Sequence, residues 1–193
     1  MARLVFCFGL LVTLFSHAEE TNQFKAFFTE FDSLSADFEQ SRYDAAGLVL
    51  DTTTGHVQFQ RPQQLLWQAH APNQQTLLLN QDALWLIDFD LEQASLQNFN
   101  QLQETPLYWF INPPNAITNW PQYTATQGGL DWYTTEQKNQ LRFGFQDEVL
   151  RAISLNNALG QTLVLRLSKL TINPAIDQAL FTLKINPAFD VIQ

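Results

Sequence analysis

A chain of 193 residues that is 46% hydrophobic and 13% aromatic can bury a substantial core, which excludes a disordered or low-complexity protein. Its net charge of −9 repels phosphate backbones and anionic headgroups, which sets nucleic acid aside as a partner. The single cysteine, Cys7, rules out an internal disulfide.

The N-terminus, MARLVFCFGLLVTLFSHA, combines one basic residue, Arg3, with an apolar run over residues 4–15 and small residues at Ser16 and Ala18. This pattern predicts a secretory signal cut after Ala18. The run is short for a membrane span, an uncleaved anchor being the alternative. Cys7 lies too early to be a lipid-attachment site. One exported domain, 19–193, is expected.

That domain opens with a helix. Phe24, Phe27, Phe28 and Phe31 fall at i, i+3, i+4 and i+7 and line one face, with Thr21 as candidate cap. The stripe suits ordinary packing on a sheet or a lid facing a ligand. Strand-like segments follow: LSADFEQSR, GLVLD, HVQFQ, QLLWQA, QTLLLN and ALWLID, with Gly55 and residues 80–82 read as turns. In HVQFQRP, Val57 and Phe59 alternate with His56, Gln58 and Gln60. Period-two alternation puts Arg61 on their inward face, unless Pro62 bends the strand and turns it to solvent. His56 alternates onto the polar, exposed face.

Further on, Thr105 and Pro106 predict a helix start. Leu107, Phe110 and Ile111 form its stripe, Pro113 and Pro114 stop it, and Asn115 opens another short turn. A second strand series follows: YTATQ, LDWYTTE, QLRFGFQ, VLRAISL, TLVLRLSKLTI and LFTLKI. Turns are expected at Gly128-Gly129, Lys138-Asn139, Asp147-Glu148 and residues 157–160. Leu163, Leu165 and Leu167 share a face, whereas Leu170 and Ile172 have the opposite parity. A bulge near Ser168-Lys169 reconciles them. Eleven or more short antiparallel strands must curl or split, and a curled sheet has a concave face that the helices can plug.

Chemistry is sparse. Beyond the leader there are two histidines, His56 and His70, and no metalloprotease, nucleophile-elbow or phosphate-loop pattern. Asp88, Asp90 and Glu92 fail as a calcium loop because Gln93 and Phe99 stand where glycine and glutamate belong. Two scattered carboxylates would suffice for a glycosidase. The apolar purity of one strand face favours holding an apolar ligand over enzymatic work.

The order RP (Arg61-Pro62), LLW (Leu65, Leu66, Trp67), Pro72, Gln75-Thr76, Leu84-Trp85 and LEQA (91–94) resembles the LolA family of periplasmic outer-membrane lipoprotein carriers. LSADFEQ (34–40) and Gly55 upstream, and Thr105-Pro106 and NPAFDVI (186–192) downstream, extend the resemblance over nearly the whole exported chain. It implies a mainly β fold: an incomplete antiparallel β-barrel of about eleven strands, with a lid of three helices over a hydrophobic cavity for lipoprotein acyl chains.

The family's role implies a monomeric periplasmic chaperone in a Gram-negative bacterium, without cofactor or metal. It would take acylated lipoproteins from an inner-membrane ABC transporter to the outer-membrane receptor LolB. The family's arginine before proline, here Arg61, would hydrogen-bond the lid helices and hold the empty cavity shut. Phe24, Phe28, Phe31, Leu34, Phe59, Leu65, Trp67, Leu107, Phe110 and Ile111 would form cavity and lid.

There are departures. Leu65 stands where a phenylalanine implicated in transporter contact is common, Gln81-Asp82 replaces a glycine turn, and Ile87-Asp88-Phe89 replaces a Tyr-Asp-Pro-like segment. Two alternatives share the fold: a carrier for another acylated lipid or glycolipid, and an envelope stress sensor.

Overall fold

The structure, a computed structural model, describes residues 22–81, 83–98, 105–112, 117–136, 141–157 and 159–192, except the side chain of Ala71. Helix α1 (Gln23–Glu30) precedes strands β1 (Ser33–Tyr43), β2 (Val49–Gln60), β3 (Gln64–Ala71), β4 (Gln75–Asn80), β5 (Ala83–Asp88) and β6 (Gln93–Gln97). Helix α2 (Leu107–Ile111) leads into β7 (Gln122–Gln127), β8 (Leu130–Thr134), β9 (Arg142–Gln146), β10 (Val149–Asn156) and β11 (Thr162–Ile172). A short 3-10 helix (Gln178–Phe181) and β12 (Asp190–Ile192) complete the chain.

The strands form one sheet ordered β12-β6-β5-β4-β3-β2-β1-β11-β10-β9-β8-β7. The long strand β1 is its middle, paired on one side with β2 and on the other with β11. Two meanders spread from it, so every pairing is antiparallel except the last, where β12 runs parallel to β6. The mainly β architecture expected from the sequence is therefore present, with twelve strands among the described residues. Parallel pairing of the C-terminal strand was not anticipated. It needs a long return across the sheet, which a scan for hairpin signals does not detect.

Three local expectations are corrected. Residues 49–51 of GLVLD and all of HVQFQ belong to one continuous strand, and Gly55 lies inside it rather than in a turn. A Cβ there would stand 2.4 Å from Phe38 Cζ and 2.0 Å from the Gln68 carbonyl oxygen, so a bare backbone is the only fit beneath the Phe38 ring. LFTLKI is not a strand. It enters the 3-10 helix, capped by Asp177 through Ala179 N, and Phe181 inserts beside Leu66 and Leu78 on the convex side of the sheet. The cap of α1 is Asn22 rather than Thr21. Its side chain accepts from Lys25 N at 3.1 Å and donates to the Pro121 carbonyl at 3.2 Å, tying the helix to the segment before β7. Thr21 lies outside the described residues, as do Pro113, Pro114, Asn115 and the Lys138-Asn139 turn.

The bulge falls where the leucine parities require it. Between β1 and β11 the register passes from Ser35↔Thr171 to Asp37↔Ser168, and Lys169 takes a positive φ of 49°. The extra residue lets Leu170 pack against the same core as Leu165 and Leu167.

Candidate functional site

The concave face of the central strands carries one row of apolar side chains per strand. On β1 these are Leu34, Ala36 and Phe38; on β2, Val57 and Phe59; on β11, Leu165 and Leu167. All are buried, and cross-strand registers place them side by side, Leu34 with Phe59 and Ala36 with Val57. Phe38 stacks on Trp67 with ring centroids 4.1 Å apart.

The helices cover this face. Phe24 and Phe28 of α1 stack at 4.4 Å and meet Phe143 of β9 edge-on. Phe110 of α2 packs against Phe28, Phe31 and Phe59. Trp109, which the spacing argument passed over, is also buried and stands edge-on to Phe24 at 5.2 Å. A helix of five residues with three consecutive buried side chains is enclosed on more than one side, so a one-stripe reading could not find it.

Between helices and wall lies an apolar cavity of about 280 Å³. Leu34, Val57, Leu65, Trp67 and Leu77 form one side of it, and Ile153, Leu155, Leu163, Leu165 and Leu167 the other. Thr105, Pro106, Leu107 and Phe110 roof it. Of the residues expected at this site, Leu34, Leu65, Trp67, Leu107 and Phe110 line the cavity. Phe24, Phe28, Phe31, Phe59 and Ile111 belong to the adjoining buried core. The β10 and β11 lining was missed as a set, although the shared face of Leu163, Leu165 and Leu167 was its signal.

Arg61 follows β2 and aims at the helices, not at solvent. Its Nη2 donates to the Phe28 carbonyl at 2.7 Å and its Nη1 to the Phe31 carbonyl. Its guanidinium lies over the Phe31 ring, 4.3 Å from the centroid. These carbonyls end α1, where the helix has no partners of its own to offer. Burial holds the guanidinium pKa below its usual value, with Asp32 acting in the opposite sense. Nε is buried without a partner among the described residues.

Asn173, which no sequence argument singled out, fastens the same helix end. Its Oδ1 accepts from Asp32 N at 2.7 Å and Ser33 N at 3.3 Å, and its Nδ2 donates to the Glu30 carbonyl at 3.3 Å. Its positive φ of 54°, one that asparagine tolerates, makes this possible.

His56 departs from the expectation of simple exposure. On the convex face its Nε2 is 3.0 Å from Ser35 Oγ and its Nδ1 is 2.7 Å from Asp37 Oδ1, and Lys169 Nζ reaches the other Asp37 oxygen at 2.8 Å. Lys169 and His56 together hold the Asp37 carboxyl below its ordinary pKa, and Asp37 raises that of Lys169. The cluster braces β1, β2 and the bulged β11. The Asp88 carboxylate closes a turn, accepting from Leu91 N, Asp90 N and Gln75 Nε2, in keeping with a turn rather than a metal loop.

The family model described as "Outer membrane lipoprotein carrier protein LolA" matches residues 29–184, most of the chain. The chain belongs to the LolA family. An outer-membrane lipoprotein carrier protein of Pseudomonas aeruginosa is 30% identical, over 83% of this chain and 81% of its own. One of Pseudomonas paraeruginosa is 28% identical over 94% and 92%. A crystal structure of a DUF1329 family protein from Desulfovibrio piger shares the fold with a TM-score of 0.52 at 10% identity, covering 82% of this chain and 92% of that one. Leu65 sits in the cavity wall opposite Phe59.

Proposed function

We propose that this protein is a periplasmic chaperone that binds the acyl chains of lipoproteins and carries them from the inner membrane to the outer. Residues 1–18 are its cleaved signal and 19–193 its single domain. The observation that carries this reading is an apolar cavity covered by helices, with the end of α1 tied to the wall by one half-buried cation, Arg61. Family membership and the carriers named among its relatives support the same cargo.

The energetics are consistent with a two-state lid. A cavity of about 280 Å³ lies at the bottom of the range for small-molecule pockets, so a long acyl chain enters only as the helices move off the wall. Lid opening breaks the Arg61 bonds and exposes aromatic surface. Burial of a chain contributes roughly 0.8 kcal/mol per CH₂, on the order of 10 kcal/mol for a long chain, which offsets that cost. Cargo therefore shifts the lid toward open, and its departure lets Arg61 close it again. The carrier is a monomer without cofactor, performs no bond chemistry, and exchanges cargo with an inner-membrane releasing transporter and an outer-membrane receptor.

The test is competition. An apolar dye whose fluorescence rises on burial should bind the purified protein and be displaced at a one-to-one ratio by a triacylated peptide. Dye binding that no acylated peptide can displace would contradict the proposal.

A further inference from the structure

The concave face changes character along its length. On β1 it runs Leu34, Ala36, Phe38, Gln40, Arg42; the first three are buried, Gln40 is half-buried and Arg42 exposed. Strand β2 repeats the gradient, with Phe59, Val57 and Gly55 buried and Thr53 and Asp51 partly open. On β11, Leu167 and Leu165 are buried and Leu163 is half-open. The cavity thus opens at the end formed by the β1–β2 and β10–β11 turns, far along β2 from Arg61.

The side chains at that end are polar. Gln40 and Thr105 line the otherwise apolar cavity, and the Gln40 amide has no hydrogen-bond partner among the described residues. Register pairs Gln40 with Thr53 and Arg42 with Asp51 on the same face, and Arg42 also lies opposite the cavity residue Leu163. Arg42 Nε donates to Asp51 Oδ2 at 2.9 Å, with Nη2 on the same oxygen. An amide held at the rim of an apolar tunnel with no protein partner is positioned for a ligand group that both donates and accepts.

We propose that Gln40, Thr53 and the Arg42–Asp51 pair form a subsite for the neutral, carbonyl-bearing head of an acylated ligand, the ester and amide groups that join its chains to a peptide. This rests on the acyl-carrier reading above. The apolar cavity cannot distinguish one acyl chain from another by its origin, so discrimination falls to the head. Asp51 neutralises Arg42, and Asp44, whose carboxylate closes the adjoining turn by accepting from Ala46 N and Leu48 N, adds negative charge to the rim. Among the described residues a phosphate head meets no free cation there and a net repulsion, whereas an ester or amide carbonyl meets the Gln40 amide and the guanidinium edge. The subsite selects acylated peptides over phospholipids.

Dye competition with two ligands, a tripalmitoylated cysteinyl peptide and phosphatidylglycerol, tests this. Gln40→Leu should weaken the peptide, titrated directly, roughly three- to tenfold. Asp51→Asn, at a half-exposed position with little bearing on folding, should free Arg42 and strengthen phosphatidylglycerol roughly tenfold. Unchanged peptide affinity in Gln40→Leu, or no gain for phosphatidylglycerol in Asp51→Asn, would overturn the subsite while leaving the carrier reading intact. Wild-type protein that binds dye but not the peptide would overturn both.

Discussion

Replacing Arg61 with leucine is the perturbation with the most to say about mechanism. The wild-type guanidinium makes two charge-assisted bonds to the Phe28 and Phe31 carbonyls. Each contributes about 1.5–3 kcal/mol, and the buried, unpartnered Nε takes back about 1–3 kcal/mol. At the middle of these ranges roughly 2.5 kcal/mol in favour of the closed lid remains, or about a 60-fold bias at about 1.4 kcal/mol per factor of ten. Leucine keeps apolar contact with Phe31 and removes that bias.

The variant should therefore fold, bind a triacylated peptide at least tenfold more tightly, and release it correspondingly more slowly, since affinity differences reside mostly in dissociation. Stopped-flow displacement of a fluorescent acylated peptide measures this directly. Amide hydrogen exchange should show faster exchange over α1 with the strands unchanged. A folded Arg61→Leu protein with wild-type release and wild-type α1 protection would refute the reasoning, because the bonds would then carry no bias.

Further predictions concern the frame. Gly55→Ala should destabilise the protein by roughly 3 kcal/mol in urea unfolding, because the added Cβ meets both the Phe38 ring and the Gln68 backbone; a loss below about 1 kcal/mol would contradict the close approach. Asn173→Ala should cost about 1–3 kcal/mol and loosen the α1 end in hydrogen exchange, while Arg61 still binds Phe28. Asp37 has a folded-state pKa below 3.8, so its contribution is present above that pH and is lost as pH falls through the lower folded value. Wild type should accordingly be more stable than Asp37→Asn at neutral pH, with the gap closing in acid below about 3.8; a gap independent of pH would rule out the ionic origin.

The central wall was legible because alternation is a local property. HVQFQ named the inward positions of β2, and the same count carried one residue further turned Arg61 inward, where it meets the end of α1. The conflicting parities of Leu167 and Leu170 located the bulge without any knowledge of the partner strand. What the pattern missed depended on contacts between distant segments. Gly55 looks like a turn until the Phe38 ring above it is known, and LFTLKI alternates like a strand although Phe181 is drawn to the convex cluster of Leu66 and Leu78. Asn173 and the paired side chains around His56 act across 141 and 19 residues of chain, beyond the reach of a spacing rule. The polar end of the cavity was hidden for a related reason: Gln40 and Thr53 are ordinary strand residues until register sets them on the concave face.

The central claim, that the cavity carries lipoprotein acyl chains, is tested most directly by native mass spectrometry of the protein purified gently from its own periplasm. The account predicts one-to-one complexes whose added mass matches triacylated lipoproteins, dissociating to the bare chain on activation. A population holding only phospholipid or glycolipid, or no acylated species at all, would contradict it.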